Sequence, residues 1–442
     1  MDKYTLDPTE ENIRLSIEKD ATGRNDALYS FIVMLNNLDG LSHIAIDAKW
    51  GAGKTFFVKE VKYLLDKLAR GEEIESLLSV SKQRSFDDLK KIKYHTVYFD
   101  AWEHDNDEDP ILSLTDELAN TSLLQNYGRV LTNLLEIALE IATGLNIKGF
   151  GKIIDSLKKV REVKEARVNN KDKFVEELNK LTPEDNDRTI IFIDELDRCK
   201  PTYAIQLLER IKHYFINDKI IFVFSININE LQNTVRRYYG EQFDGEHYLY
   251  RFFEVLLKLP EPNLDNYYDM INISANRRGF YLPHCTYLAN RFNFSLRQLN
   301  QFLLLSNSAT AYARRYFKNL NSLSTDEEKV DNVLLPIFIL PYMIALRMAS
   351  NREYDNFIHG DGAGTLAEDL IGSKSFRVYM ARDFKKNKEE LEPVLIKLYE
   401  VLFTEHSNGP EDLGGLLIED PTEQYKKLTS ACSMVSHYVK YN

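Results

Sequence analysis

Two short stretches of the chain carry residue types that could do chemistry together. Residues 48–55 read Ala-Lys-Trp-Gly-Ala-Gly-Lys-Thr, and Asp194-Glu195 closes the apolar run Thr189–Ile193. A glycine-rich turn lets backbone approach a polyphosphate with no Cβ in the way. A helix starting at that turn adds about half a positive charge from its N-terminus. In such a setting Lys54 reaches the β/γ-phosphates and the Thr55 hydroxyl holds Mg²⁺. Trp50, Gly51, Ala52, Gly53 and Phe56 complete the expected cradle, and Ala48 stands where the motif ordinarily has its first glycine. Asp194 at a strand tip beside the turn can hold Mg²⁺ through water, and Glu195 can polarise the water that attacks a γ-phosphate. The expected cofactors are ATP and Mg²⁺.

These groups must be positioned by a strand, a turn and a helix in succession. Ile44-Ala45-Ile46 precedes the turn, and Phe57, Val58, Val61, Leu64, Leu65 and Leu68 follow it at helical spacing. Five β-branched or apolar runs stand between helical patterns, at 43–47, 95–99, 189–193, 219–225 and 254–259. Most are continuously apolar, which suits parallel strands covered on both faces. Strands alternating with helices predict an α/β, doubly wound parallel sheet. Residues 103–188 read as a helical insertion, whose segment 156–179 has the charge of a solvated face. After Pro260-Glu261-Pro262 the strand signals stop. Residues 263–322 read as helical, Thr325-Asp326-Glu327-Glu328 makes a capping box, and 323–442 read as all-helical with loops near 360–364 and 409–415.

Composition narrows the classes. A chain of 442 residues is long for one core, and 44% hydrophobic and 12% aromatic content suffices for packed interiors. With 56 basic and 68 acidic residues the net charge is −12, which argues against a whole-surface nucleic-acid binder. Arg314-Arg315 with Lys318, and Lys385-Lys386 with Lys388, could touch nucleic acid but read more simply as charged helix faces. Cys199, Cys285 and Cys432 form no metal or disulfide framework, and a reducing, cytoplasmic compartment is expected. The polar N-terminus predicts no signal peptide. Val130–Leu145 is amphipathic, with Glu136 and Glu140 opposite Leu134, Ile137, Ala138 and Ile141. Val333–Leu346 is apolar but short and holds Pro336 and Pro341. Neither reads as a membrane span.

Ile193-Asp194-Glu195-Leu196-Asp197-Arg198-Cys199-Lys200-Pro201 resembles the signature of the KAP family of P-loop NTPases. So do Phe99-Asp100-Ala101-Trp102 with Pro110, the Trp50-Gly51-x-Gly53-Lys54 form of the loop, and Tyr248-Leu249-x-Arg251-Phe252-Phe253 running into Leu257-x-Leu259-Pro260. The resemblance covers roughly residues 20–310 and implies an AAA+- or STAND-like ATPase with a five-stranded core (1–262) and a helical lid (263–322). Residues 323–442 lie beyond it, and their helical pattern alone is read as a C-terminal interaction domain. It implies that Asn227 senses the γ-phosphate, that Arg251 is a finger acting on a neighbouring subunit of a homo-oligomer, and that Arg297 in Ser295-Leu296-Arg297 reads the nucleotide in cis. Arg24 and Asp26 would border the adenine. Many members of the family resemble membrane proteins, with spans between the two nucleotide motifs. Lys54 and Asp194 lie 194 − 54 = 140 positions apart, so an insert is present, and its most apolar part carries two glutamates. In bacteria the resemblance implies phage exclusion or antiviral defence.

The leading expectation is an ATP-hydrolysing switch that controls assembly and a partner protein. A scaffold that holds ATP without turning it over is the alternative, and Glu195 argues against it. A P-loop kinase would ordinarily lack the Asp-Glu pair and the long helical C-terminus. No Cys/His spacing supports a nuclease or deaminase.

Overall fold

The computed structural model describes residues 7–37, 42–78, 93–121, 127–143, 170–181, 187–264, 266–267, 279–313, 330–405, 407 and 409–436. The capping box at 325–328, the patch of Arg314, Arg315 and Lys318, and the charged run up to residue 169 lie outside the described residues. The described chain divides into two compact units, Asp7–Asn263 and Leu264 onward.

The first unit is built on five parallel strands: β1 (His43–Asp47), β2 (Lys93–Asp100), β3 (Asp187–Asp194), β4 (Ile220–Ile226) and β5 (Val255–Lys258), in the order β2-β3-β4-β1-β5. The chain first makes α1 (Glu10–Glu18) and α2 (Asn25–Asn37). α3 (Lys54–Ala69) follows β1, and α4 (Pro110–Asn120), α5 (Gly128–Thr143) and α6 (170–179) separate β2 from β3. α7 (Pro201–Tyr214) leads to β4, and α8 (Ile228–Tyr239) and α9 (Gly245–Leu249) lead to β5.

The continuous apolar runs have the predicted consequence. Ile44, Ile46, Ile190, Phe192, Ile221 and Val223 bury one face of the sheet with α1, α2 and α3. The alternating residues Ala45, Ile191, Ile193, Phe222 and Phe224 bury the other with helices α4 to α8. β2 and β3 run beyond the apolar runs at 95–99 and 189–193, to Lys93–Asp100 and Asp187–Asp194, because ladder bonds are made by backbone and do not stop where side chains turn polar. Leu131, Leu134, Ala138 and Ile141 of α5 are buried and Glu136 is exposed, the expected amphipathic packing. Among the described residues no helix is long and apolar enough to cross a membrane.

In the second unit one hydrophobic core runs from Tyr267 to Val435 and joins the helices Tyr281–Arg291 and Leu296–Ala313 to those after residue 330. The apolar run at 333–346 is buried and helical as predicted, but with two windings. A wide π-helical segment, Val330–Ile339, contains Pro336, which lacks the N–H a regular turn needs. The chain continues through Ile339, itself helical, into the α-helix Leu340–Ala349 with Pro341 in its first turn. The 409–415 loop differs from the all-helical expectation. Residues Glu411–Asp412 and Leu417–Ile418 pair as a two-residue antiparallel ribbon around Gly414 and Gly415, whose φ of 72° and 96° favour glycine.

One buried acid in this unit sets a pH dependence. Asp331 is 6% exposed, and burial pushes its carboxyl up to about 7, with Gln424 Nε2 donating to it at 2.9 Å. The folded state favours the neutral form, so the stability that form supports is present below the ordinary carboxylate value and lost as pH rises through about 7. Asp331→Asn is expected to raise the melting midpoint. The gain over the native chain should widen between pH 4 and pH 7, level off above, and reach at most about 4 kcal/mol. A gain that is flat with pH in thermal melts would refute this account.

Candidate nucleotide site

The site forms where the C-terminal tips of β1, β3 and β4 come level. Asp47 pairs in register with Ile226, Asp194 with Ser225, and Asp100 with Asp194. β1 and β3 are not neighbours, because β4 lies between them. The turn after β1 and the acids after β3 therefore face each other across the tip of β4, where Asn227 stands as the N-cap residue of α8, 9% exposed.

The turn is shaped by two glycines. Gly51 and Gly53 have φ of 77° and 88°, values that side chains bearing a Cβ rarely adopt. Gly53 is the N-cap of α3, and no side chain caps the first N–H groups of that helix. They are left to satisfy an anion. Lys54 is 8% exposed, and its Nζ folds back to donate to the carbonyls of Ala48 at 2.7 Å and Lys49 at 3.3 Å. Burial pushes its ammonium pKa down, against the fields of Asp197, Asp194, Glu195 and Asp47. A cation held in a ring of acids and glycine-turn carbonyls fits a triphosphate, whose oxygens would replace those carbonyls.

The acidic tip is tied down atom by atom. Asp194, 1% exposed, accepts from Tyr98 Oη at 2.9 Å and from the Glu195 N–H at 3.0 Å. Glu195 turns the chain with a φ of 59°, uncommon for a residue with a side chain, and swings its carboxylate out of the strand line. Burial and Asp194 push Glu195 up to about 7, while an ion pair with Arg198 Nε pulls it down. Arg198 in turn lies over the ring of Trp102, 5.5 Å from its centroid. Asp197 accepts from Trp50 Nε1 at 2.5 Å and from the Asn227 backbone N–H, joining the glycine turn, the acidic turn and the tip of β4.

Thr55 and Asp194 are the residues with the right chemistry for Mg²⁺. Among the described residues no group of three His, Cys, Asp or Glu side chains makes a cage of its own.

The remaining expected site residues have settings of their own. Phe56 packs against the core beneath α3. Arg24 is buried, with its guanidinium on backbone carbonyls, and Asp26 is exposed in the first turn of α2. Arg251 is exposed and precedes β5, at the end of the sheet opposite the glycine turn. Arg297 is exposed in the first turn of the 296–313 helix of the second unit. Sequence reasoning missed Tyr98, Asp197 and Arg198 as members of the site. The last two stood inside the quoted acidic motif, whereas Tyr98 gave no signal, since its tie to Asp194 exists only through the β2–β3 register.

A parallel sheet with a glycine-rich phosphate turn and an acidic strand tip on either side of a central strand defines a P-loop NTPase fold. The model of the KAP family P-loop domain matches residues 26–305, more than half of the chain. The chain belongs to the KAP family, and membership supports nucleotide binding. No curated protein matches the chain.

Proposed function

We propose that this chain is an Mg²⁺-dependent ATPase that works as a switch, with ATP binding favouring an assembled state and hydrolysis releasing it. The observation that carries the reading is the meeting of Lys54 and the open α3 N-terminus with Asp194 and Glu195 across the tip of β4. Thr55 and Asp194 would hold Mg²⁺, Asn227 would face the γ-phosphate, and Glu195 would take the proton of the attacking water. Trp50, Gly51, Ala52 and Gly53 would line the phosphates. Between α2, α3 and β5 lies an apolar cleft of about 200 Å³, lined by Ala27, Phe31, Met34, Phe57, Leu257 and Pro260, with the size and character to take an adenine ring.

Arg251 supports assembly. It stands at the far end of the sheet from its own phosphate turn, so a transition-state role for it requires a second copy. Arg297 would read the nucleotide from the lid of the same copy. Residues 323–442 would carry the contact surface for a separate effector protein, and bacterial antiphage defence is the context the family suggests. A second reading has one observation in its favour. The Glu195 carboxylate is engaged by Arg198, as a scaffold that holds ATP without turnover would allow.

Retention of labelled ATP and release of phosphate, with Mg²⁺ and with a chelator, test both readings. The native chain is expected to retain ATP and to release phosphate without an added acceptor only when Mg²⁺ is present. Lys54→Ala is expected to weaken retention by on the order of a hundredfold, the loss of a charge-assisted bond worth about 3 kcal/mol. Retention unchanged by Lys54→Ala would remove the site; retention without phosphate release would favour the scaffold.

A further inference from the structure

Arg24 is the side chain that joins the phosphate turn to the segment leaving the edge strand. It is 2% exposed. Its Nη1 donates to the carbonyl of Ala52 at 3.0 Å, and its Nε donates to the carbonyl of Pro260 at 2.8 Å. Burial lowers its guanidinium to about 10, with the fields of Glu60 on α3 and Glu261 opposing that shift. Glu60, which accepts from Ser16 Oγ at 2.6 Å, is itself pushed up to about 8 by burial. The turn bearing Arg24 is pinned as well. Asn263 N–H donates to the Thr22 carbonyl at 2.7 Å, and Gly23, with φ +66°, lies so near that a Cβ there would fall 2.7 Å from Asn263 Cβ.

Peptide geometry gives this grip a consequence. In a trans peptide the C=O and the N–H point to opposite sides. With the Ala52 carbonyl turned to the guanidinium, the N–H of Gly53 must point away from it. A guanidinium is a planar, permanently charged fork, so holding two carbonyls fixes both more tightly than a single-point cation could.

We propose that Arg24 is a positioning residue for the phosphate turn: it sets the 52–53 peptide so that the turn presents its N–H groups to a polyphosphate, and through Pro260 it ties that orientation to residues 260–263. The proposal rests on the nucleotide-binding reading above, and it differs from a role at the base in what it demands of a ligand with no base.

The test uses the full chain with Mg²⁺ and two probes, ATP and inorganic tripolyphosphate, measured by calorimetry for the native protein, Arg24→Gln and Arg24→Lys. Arg24→Gln is expected to weaken both probes by the same factor, on the order of ten- to a hundredfold. Arg24→Lys keeps the charge but not the fork, so it should weaken both probes equally and by less. It carries the test if the Gln variant does not fold. Weaker ATP with unchanged tripolyphosphate would assign Arg24 to the base and overturn the proposal, as would unchanged affinity for both. Hydrogen exchange supplies an independent readout. Tripolyphosphate should slow exchange of the Asn263 N–H in the native chain and not in Arg24→Lys, and no slowing in the native chain overturns the link to 260–263. If the native chain binds neither probe, the nucleotide reading itself fails. If it binds both and the variants match it, only this inference does.

Discussion

Glu195→Gln is expected to keep ATP and lose its hydrolysis by roughly 10²- to 10⁴-fold, the range for removing a positioned general base. The amide has the shape of the carboxylate and can still meet Arg198, so the acidic turn should persist. It cannot accept a proton from water. Asp194, the candidate metal ligand, is untouched and remains braced by Tyr98. Binding and chemistry are thereby separated: single-turnover phosphate release should collapse while equilibrium retention of labelled ATP stays within a few-fold. Equal single-turnover rates for the native chain and Glu195→Gln would show that the carboxylate is not the base and would leave the scaffold reading in possession of the site.

Arg251→Ala is expected to cost still more, on the order of 10³- to 10⁵-fold in turnover, with ATP binding intact, if the arginine stabilises the transition state of a neighbouring copy. The sheet makes the trans requirement physical. Phosphates bind beyond the C-terminal ends of parallel strands. Arg251 precedes the N-terminal end of β5, and the N–H of Glu254, three residues later, donates to the carbonyl of His43 at the start of β1. The guanidinium makes no ion pair among the described residues. Complementation is the sharp measurement. Mixed with Lys54→Ala copies, which have an intact arginine and an impaired site, Arg251→Ala copies should recover activity that neither variant shows alone. Absence of recovery in a mixture that does assemble would refute a finger acting in trans, and equal loss of binding and turnover would refute a transition-state role altogether.

Much of this site was legible before folding because its chemistry is concentrated in two contiguous stretches. Trp50 to Thr55 and Asp194 to Glu195 are each short enough for local backbone rules to specify their shape: two glycines at positive φ, a helix begun at Lys54, and a strand ending in acids. The inner strands were legible for a related reason, whereas the edge strand β5 leaves Leu256 41% exposed. A strand buried on both faces, as β4 is throughout, needs no alternation and so leaves an unbroken apolar signature.

The ties that make these pieces one site were not legible. Trp50 meets Asp197 across 147 residues, Tyr98 meets Asp194 across 96, and Arg24 meets Pro260 across 236. No periodicity in the chain encodes such pairs. The resemblance set Arg24 beside the base; that its guanidinium holds the carbonyls of Ala52 and Pro260 was announced by no local pattern. The π winding around Pro336 and the ribbon at 411–418 gave no signal, because an apolar run or a glycine-rich loop reports burial or turning, not which backbone bonds form.

The amino-acid sequence by itself determined the identity of the reactive groups and the local conformations that hold them, since both depend on neighbours a few residues away. Tertiary structure decided that β4 would lie between the phosphate turn and the acids, and that Arg251 would stand at the far end of the sheet. Strand order follows from how the crossover helices pack over both faces, a property of the whole core that no single segment contains.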